Sequence, residues 1–229
     1  HVEKLNDYTL KKMNYIVKEA YENVPYYNEL FRKYGIKYEN MKSIEDLQKI
    51  PILEKDELRR NPSKFINQKY RNIKLIELHT TGTTGTPLNI YCTKKVRQLN
   101  YAFFNNFLQS VGINYKGKRA TFWGRIFVSP KQRTPPFWRY SMFQKNLMFS
   151  SYHLKDDNIR YYIDKLQTYN PDYIDSYPSS IYIIAKYAQD HNIRLDNITK
   201  GITTSAETLF PWQRELIENI FGVTVYDQY

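Results

Sequence analysis

From about residue 73 onward, short β-prone runs alternate with longer helical stretches, and this alternation limits the fold more than any other feature of the sequence. Such an order predicts an α/β domain built on a mainly parallel sheet, with ligands at the carboxyl ends of the strands. The predicted strands are Leu75 to His79, Leu88 to Thr93, Ala120 to Trp123, Tyr173 to Ser176, Gly201 to Thr204 and Val223 to Tyr226. The predicted helices cover residues 95–111, 157–169, 179–191 and 211–221.

The first 72 residues predict helices and no strands. Apolar side chains recur at three- and four-residue steps between Leu5 and Phe31, with an interruption at Pro25, and shorter helices are predicted after Ser43 and from Glu54. We therefore divide the chain into a helical N-terminal segment, residues 1–72, and an α/β part, residues 73–229.

The positive charge of the chain is concentrated in one third of the sequence. Lys and Arg number 34 against 23 Asp and Glu, a formal net charge of +11, and no acidic residue occurs between Glu77 and Asp156. That window holds twelve cations: Lys94, Lys95, Arg97, Lys116, Lys118, Arg119, Arg125, Lys131, Arg133, Arg139, Lys145 and Lys155. Aromatic residues lie among them, which is also typical of a groove for single-stranded nucleic acid. Packing against another protein or a further domain is an alternative interpretation of the same charges.

Several classes of protein are excluded by composition. The chain is 41% hydrophobic and 25% charged, too rich in core-forming residues for a disordered protein, and no apolar run approaches the length of a membrane span. Cys92 is the single cysteine, and the N-terminal residues do not resemble a signal peptide, so we expect a reducing, cytoplasmic location. His153 and His191 have no ligand-spaced partners, and we predict no zinc site.

A Thr- and Gly-rich segment, Thr80 to Pro87, separates the first two predicted strands. It contains two of the 8 glycines of the chain and five threonines. Backbone N–H groups and hydroxyls in such a loop can surround phosphate oxygens, although the Gly-Lys-Ser/Thr ending of a P-loop is replaced by Pro87-Leu88. The alternative is a plain hairpin turn between the flanking strands, and the residues alone leave both interpretations open.

The segment Thr80 to Leu88 resembles the phosphate-binding signature of adenylate-forming enzymes, the acyl-CoA synthetases and their relatives, with Leu88 in place of the final lysine. Three further segments are similar to the branch that contains phenylacetate-CoA ligase and CapK-like proteins, some of them encoded with capsular polysaccharide genes. They are residues 24–27 with 47–56 (VPYY and LQKIPILEKD), residues 177–180 (YPSS), and residues 205–207 (SAE) with 221–229. Their order and spacing agree with that branch over nearly the whole chain.

The resemblance implies a two-step reaction in which a small-molecule carboxylate reacts with ATP to give an acyl-adenylate, and a thiol or amine then displaces AMP. CoA is the usual thiol in this branch. The resemblance also implies the ATP-binding residues: Thr80, Thr81, Gly82, Thr83, Thr84 and Gly85 at the phosphates, and Ser205, Ala206, Glu207, Asp227 and Tyr229 on the adenine side. Trp123 and Tyr177 are candidate residues of the substrate pocket.

Members of the family continue past the tyrosine equivalent to Tyr229, with a glutamate that binds Mg²⁺ and later a small C-terminal domain that carries a catalytic lysine. The resemblance therefore implies that residues 1–229 are the N-terminal portion of a longer enzyme, with the C-terminal domain as a partner and Mg²⁺ as a cofactor of the full-length protein. We expect residues 1–229 alone not to catalyse adenylation, and no catalytic residue is assigned among them. A composition rich in Tyr, Lys, Asn and Ile fits a bacterium of low genomic GC content.

Overall fold

The computed structural model of the chain describes residues 2–79 and 88–228. It divides the chain into two compact units, one that extends to Tyr101 and one that starts at Ala102. The division into a helical segment, residues 1–72, and an α/β part, residues 73–229, stays a prediction.

The unit that extends to Tyr101 is mainly helical. Its small core is formed by Met13, Val17, Phe31 and Met41. Pro25 occupies the first turn of the second helix, where its missing N–H is no loss, so the helical stripe is split at that residue as predicted. The regular elements are α1 (Val2–Asn23), α2 (Pro25–Lys33), α3 (Lys55–Arg60), β1 (Ile76–His79) and β2 (Asn89–Cys92), with 3₁₀ turns at Tyr38–Asn40, Ile44–Lys49, Pro62–Phe65 and Gln68–Tyr70.

The unit that starts at Ala102 is built on a six-stranded sheet. Its elements are β3 (Arg119–Trp123), β4 (Trp138–Ser141), β5 (Asn146–Ser150), α5 (Asp156–Tyr169), β6 (Tyr173–Ser176), α6 (Pro178–Asp190), β7 (Ile202–Ser205), α7 (Pro211–Phe221) and β8 (Val225–Gln228), with a 3₁₀ turn at Ser151–His153. The helix α4 (Lys94–Ser110) crosses the division between the units.

The strand order is β4-β5-β3-β6-β7-β8, and β3 lies between two strands that follow it in the sequence. β5, β3, β6, β7 and β8 run parallel, and only β4 pairs antiparallel, with β5. The predicted mainly parallel sheet is therefore confirmed.

The two faces of this sheet differ in character. One face packs against α5, α6 and α7 in a large apolar core, in which the rings of Phe122 and Phe149 stack with centroids 4.6 Å apart. On the other face, Leu108 of α4 packs with Ile113 and with Tyr173 of β6. The polar residues Asp175 and Thr203, which are paired in the register of β6 and β7, lie on that second face as well.

The sequence analysis missed β4 and β5. Neither strand is among those predicted from the sequence, yet β4 begins at Trp138 and turns back into β5. The turn between them contains no Gly, Asn or Asp, and Lys145 adopts a left-handed φ of 45° that those residues usually supply. Among the described residues, no helix is long and apolar enough to cross a membrane.

Candidate functional site

The carboxyl ends of five parallel strands meet along one edge of the six-stranded sheet, which we call the carboxyl edge. The register pairs Trp123 of β3 with Ser150 of β5, and Ser176 of β6 with Thr204 of β7. Asp227 of β8 in turn pairs with Thr204. Residues from distant parts of the sequence are thereby brought together where parallel sheets bind their ligands.

Two of the segments that resemble the adenylate-forming family meet at this edge. Pro178 and Ser179 form the first turn of α6, directly after β6, and Glu207 lies in the loop after β7. The backbone N–H of Ser179 donates a hydrogen bond of 3.0 Å to Oε2 of the exposed Glu207 side chain. Ala206 adopts a left-handed φ of 68° just before it, so the backbone turns sharply at the end of the strand. The carboxylate thus caps α6 and joins two loops that are 28 residues apart.

Asp227 is held in place at the neighbouring strand. The Thr204 hydroxyl donates a hydrogen bond of 2.6 Å to Oδ1 of Asp227, whose side chain is exposed. Ser205 is half-buried and pairs with Gln228 in the register of β7 and β8. Glu207 and Asp227 therefore present hydrogen-bond acceptors at the edge, which suits a ligand with amino or hydroxyl donors.

The two residues predicted for the substrate pocket are also neighbours at the carboxyl edge. The Tyr177 ring packs against Gly124, the residue after Trp123, where an added Cβ would lie 3.4 Å from the ring. The backbone N–H of Tyr177 donates to the carbonyl oxygen of Phe122 at 3.3 Å, and the Tyr152 hydroxyl donates to that of Gly124 at 3.0 Å. Hydrogen bonds from Tyr177 and from Tyr152 therefore hold the end of β3 in place.

A buried carboxylate that the sequence analysis did not single out lies on β6 behind this edge. Asp175 is 6% exposed and accepts a hydrogen bond of 3.3 Å from the Thr203 hydroxyl. Burial raises the pKa of Asp175 to about 6, although the positive charge of Arg119 and polar contacts with Thr203 and Trp123 lower it. An acidic residue inside an otherwise buried strand is the sequence signal that could have identified it.

The proposed phosphate loop, Thr80, Thr81, Gly82, Thr83, Thr84 and Gly85, lies outside the described residues, as does Tyr229. The strands on either side of the loop pair antiparallel, with His79 opposite Asn89. His79 Nδ1 and Asn89 Oδ1 are 2.9 Å apart across the two strands. The residues on both sides of the segment therefore belong to paired strands, and phosphate binding by Thr80 through Gly85 stays a prediction.

The cations of the basic window lie on several different elements. Lys94, Lys95 and Arg97 belong to α4, and Lys118 and Lys145 lie near the amino ends of β3 and β5. Arg125, Lys131 and Arg133 follow β3 at the opposite edge of the sheet. Within the unit that starts at Ala102, the cations are therefore divided between the two edges of the sheet.

Within the described part of the chain, no three His, Cys, Asp or Glu side chains are grouped so that they could hold a metal ion.

A surface concavity of roughly 630 Å³ lies between α5 and α6, lined by residues such as Asp157, Lys186 and His191. None of its lining residues belongs to the turns and acceptors at the carboxyl edge, so we do not assign it to the site.

Comparison with known proteins gives relatives at two levels of similarity. No protein-family model matches the chain. Protein CapK of Staphylococcus aureus is 35% identical over 217 residues, which cover 94% of this chain and 46% of CapK. The phenylacetate-coenzyme A ligase of Aromatoleum evansii is 36% identical over 87 residues, which cover 38% of this chain and 20% of that enzyme. The chain thus spans about half of the length of CapK.

Solved structures with a similar fold include 2-hydroxyisobutyryl-CoA ligase in two states. The complex with 2-HIB-AMP and CoA in the thioesterification state has a TM-score of 0.71 at 18% identity, over 99% of this chain and 49% of that one. The postadenylation state has a TM-score of 0.72 at 16% identity, over 98% of this chain and 48% of that one. These solved structures share the fold of the described residues.

Proposed function

The chain is a relative of the CapK-like branch of the adenylate-forming ligases over 94% of its length, and from that premise we propose that it is the nucleotide-binding part of an ATP-dependent carboxylate-activating enzyme. A carboxylate oxygen attacks the α-phosphorus of ATP, and the bond to pyrophosphate breaks, which leaves an acyl-adenylate. The sulfur of a thiol then attacks the acyl carbon, AMP departs, and the thiol proton is released. We propose CoA as the thiol, with an amine as the alternative acceptor.

The observation that carries this proposal is the hydrogen bond from the Ser179 backbone N–H to the Glu207 carboxylate. It joins the Tyr-Pro-Ser-Ser turn to the Ser-Ala-Glu loop at the carboxyl edge, and both segments resemble those of adenylate-forming enzymes. Asp227, held by Thr204, lies on the next strand. We assign Ser205, Ala206, Glu207 and Asp227 to the adenosine half of the nucleotide, and Trp123 with Tyr177 to the carboxylate.

The phosphate half of the nucleotide is assigned to Thr80 through Gly85, on the resemblance of the sequence alone. Backbone N–H groups and hydroxyls there would stabilise the charge that develops on the phosphates. Mg²⁺ is proposed as a cofactor of the complete enzyme. The described residues provide no cluster of ligands for it, and no step is derived through it.

The biological role that we propose is activation of a carboxylate for the synthesis of a surface polysaccharide. It rests on the similarity to the CapK branch. We place the reaction in the cytoplasm, where ATP and CoA are available. A nucleic-acid-binding role is not favoured, because the similarity to CapK extends over 94% of the chain.

The first experiment measures nucleotide binding by residues 1–229. AMP at roughly one hundred times its Kd should stabilise the protein by about 2.7 kcal/mol. Glu207→Ala removes an acceptor at the edge together with the cap of α6, so AMP should bind about tenfold more weakly, a loss of about 1.4 kcal/mol. Glu215→Ala, at an exposed position on α7, is the matched control and should bind AMP normally.

The second experiment tests the reaction in the complete product of the gene. Carboxylate-dependent exchange of pyrophosphate into ATP should occur in that protein. If AMP and ATP do not raise the melting temperature of the chain, and no carboxylate supports exchange in the complete product, the proposed function is wrong. If a single-stranded oligonucleotide binds tightly at physiological salt instead, the nucleic-acid alternative is correct.

A further inference from the structure

A cluster of charged and polar side chains lies on one face of the six-stranded sheet, directly behind the carboxyl edge. Arg119 and Trp123 lie on the same face of β3, at its first and last residues. Asp175 and Thr203 are paired in the register of β6 and β7. Asp175 is 6% exposed and Thr203 is 1% exposed. The cluster therefore brings a buried acid and a basic residue next to the last residue of β3.

Two guanidinium groups lie close to the Trp123 ring. The Cζ atom of Arg119 is 5.7 Å from the ring centroid, and that of Arg125 is 5.5 Å from it. Both distances are within the range of a cation–π interaction. The register of β3 and β6 pairs Asp175 with Thr121, so Asp175 lies diagonal to Trp123 on the same face of the sheet, within reach of an aromatic side chain. Consistent with this placement, Trp123 is among the groups that lower the pKa of Asp175. Three charged groups, those of Arg119, Arg125 and Asp175, therefore lie around the indole.

The cluster is costly for folding. Among the described residues, neither Arg119 nor Asp175 has an oppositely charged partner within 4.0 Å, and the buried Nε of Arg119 has no hydrogen-bond acceptor. Apolar side chains at these positions would fold without that cost. Buried charges with shifted pKa values are frequent at functional sites, and this one adjoins the edge where ligands bind.

We propose that Asp175 is a positioning residue that, together with Arg119, fixes the Trp123 indole at the carboxyl edge as the wall against which the acyl group of the carboxylate lies. This inference rests on the proposed function for the identity of the ligand. The positioning itself does not, because it concerns contacts within the protein. Asp175 acts through Trp123 and does not touch the substrate.

Positioning is tested first without a ligand. The chain has 3 tryptophans, so the spectrum of wild type minus that of Trp123→Phe isolates the signal of Trp123. In Asp175→Asn the near-UV circular dichroism of Trp123 should fall by about half or more, since that signal requires a fixed ring. Thr203→Val, which removes one hydrogen bond to the acid, should cause a smaller loss of the same kind.

The matched control is Asp172→Asn. Asp172 accepts from the Lys118 backbone N–H at 2.7 Å and lies 3.1 Å from the Lys200 ammonium, away from Trp123. The Trp123 signal should be unchanged in this variant. An unchanged signal in Asp175→Asn, with normal far-UV circular dichroism, would overturn the inference, because a merely structural acid would leave the ring where it is.

The wall is tested in the complete product of the gene by exchange of pyrophosphate, with a panel of carboxylates from acetate to phenylacetate. For the carboxylate that wild type uses best, Asp175→Asn should lower kcat/KM about tenfold with the KM for ATP unchanged. An equal loss of kcat/KM for every carboxylate and for ATP would contradict the inference that Trp123 forms the wall of the acyl site. If none of the carboxylates supports exchange in the wild-type protein, the proposed function fails. The spectra then still decide whether Asp175 positions Trp123.

Discussion

Replacing Asp175 by asparagine should make the protein more stable at neutral pH, which is the reverse of what most substitutions of buried residues do. The amide has nearly the shape of the carboxyl group and corresponds to its protonated, uncharged form. The groups that face the acid are Arg119 and Trp123 on β3, Thr203 on β7 and Tyr173 on its own strand. Burial outweighs all of them and raises the pKa of Asp175 from 3.8 to about 6.

The sign of the effect follows from this direction. An acid with a raised pKa in the folded state contributes most stability while it is protonated, at pH values below its pKa in the unfolded chain. That contribution is lost as the pH rises to about 6 and stays lost above. A shift of about two pK units corresponds to about 3 kcal/mol. Asparagine avoids this loss, so its advantage should be about 3 kcal/mol at pH 7.5 and about 1 kcal/mol at pH 4.5.

The measurement is thermal unfolding of wild type and Asp175→Asn at both pH values. At pH 7.5 the melting temperature of the variant should be higher by roughly 6–12 °C, from about 2–4 °C per kcal/mol in a protein of this size. The difference should shrink by more than half at pH 4.5. An advantage that is equal at both pH values, or that is larger at pH 4.5, would refute the reasoning.

Asp172→Asn provides a control with the opposite sign. Burial raises the pKa of Asp172, but the Lys118 backbone N–H and the Lys200 ammonium together outweigh it and hold the pKa below its usual value. Stability from such an acid is present above its pKa in the unfolded chain and is lost at lower pH. The asparagine variant should therefore be less stable than wild type at pH 7.5, and the deficit should shrink in acid.

Two further predictions concern backbone conformation. Ala206 has a φ of 68°, a region where a residue with a Cβ is strained. Ala206→Gly should therefore raise the free energy of unfolding, measured by urea denaturation, by about 1 kcal/mol. A free energy of unfolding below that of wild type would mean that the turn is not strained. Gly82→Val in the complete product of the gene should abolish ATP binding and turnover, because a side chain would block close approach of the phosphates. Unchanged affinity and turnover would rule out the assignment of Thr80 through Gly85.

Local sequence signals predicted the elements that depend on a few adjacent residues. The helix α7 begins at Pro211 and ends at Phe221 as predicted, because proline favours the first turn and Gly222 provides the left-handed exit, with a φ of 66°. The mainly parallel sheet followed from the alternation of strands and helices. The turn before β5 gave no such signal, because Lys145 adopts a left-handed φ that lysine rarely adopts.

The candidate site could be predicted from resemblance only in part. Sequence similarity identified the segments that contain Ser179 and Glu207, but the hydrogen bond between them depends on where two strands end in the sheet. The position of Asp175 beside Arg119 and Trp123 on one face of the sheet could not be predicted, because it depends on the register of β3 and β6, more than fifty residues apart. Periodicity within a segment carries no information about the register between segments.

The central place of β3 has a consequence for synthesis on the ribosome. β3 emerges first among the six strands, but both of its neighbours come later, and β6 is complete only at Ser176. The hairpin of β4 and β5 can close locally, whereas the pairing of β3 with β6 needs the ends of a long loop to meet. Until then one side of β3 is an unpaired edge, which is a place where chains aggregate. The interval between translation of residues 123 and 176 is therefore when a nascent chain of this protein most needs a chaperone.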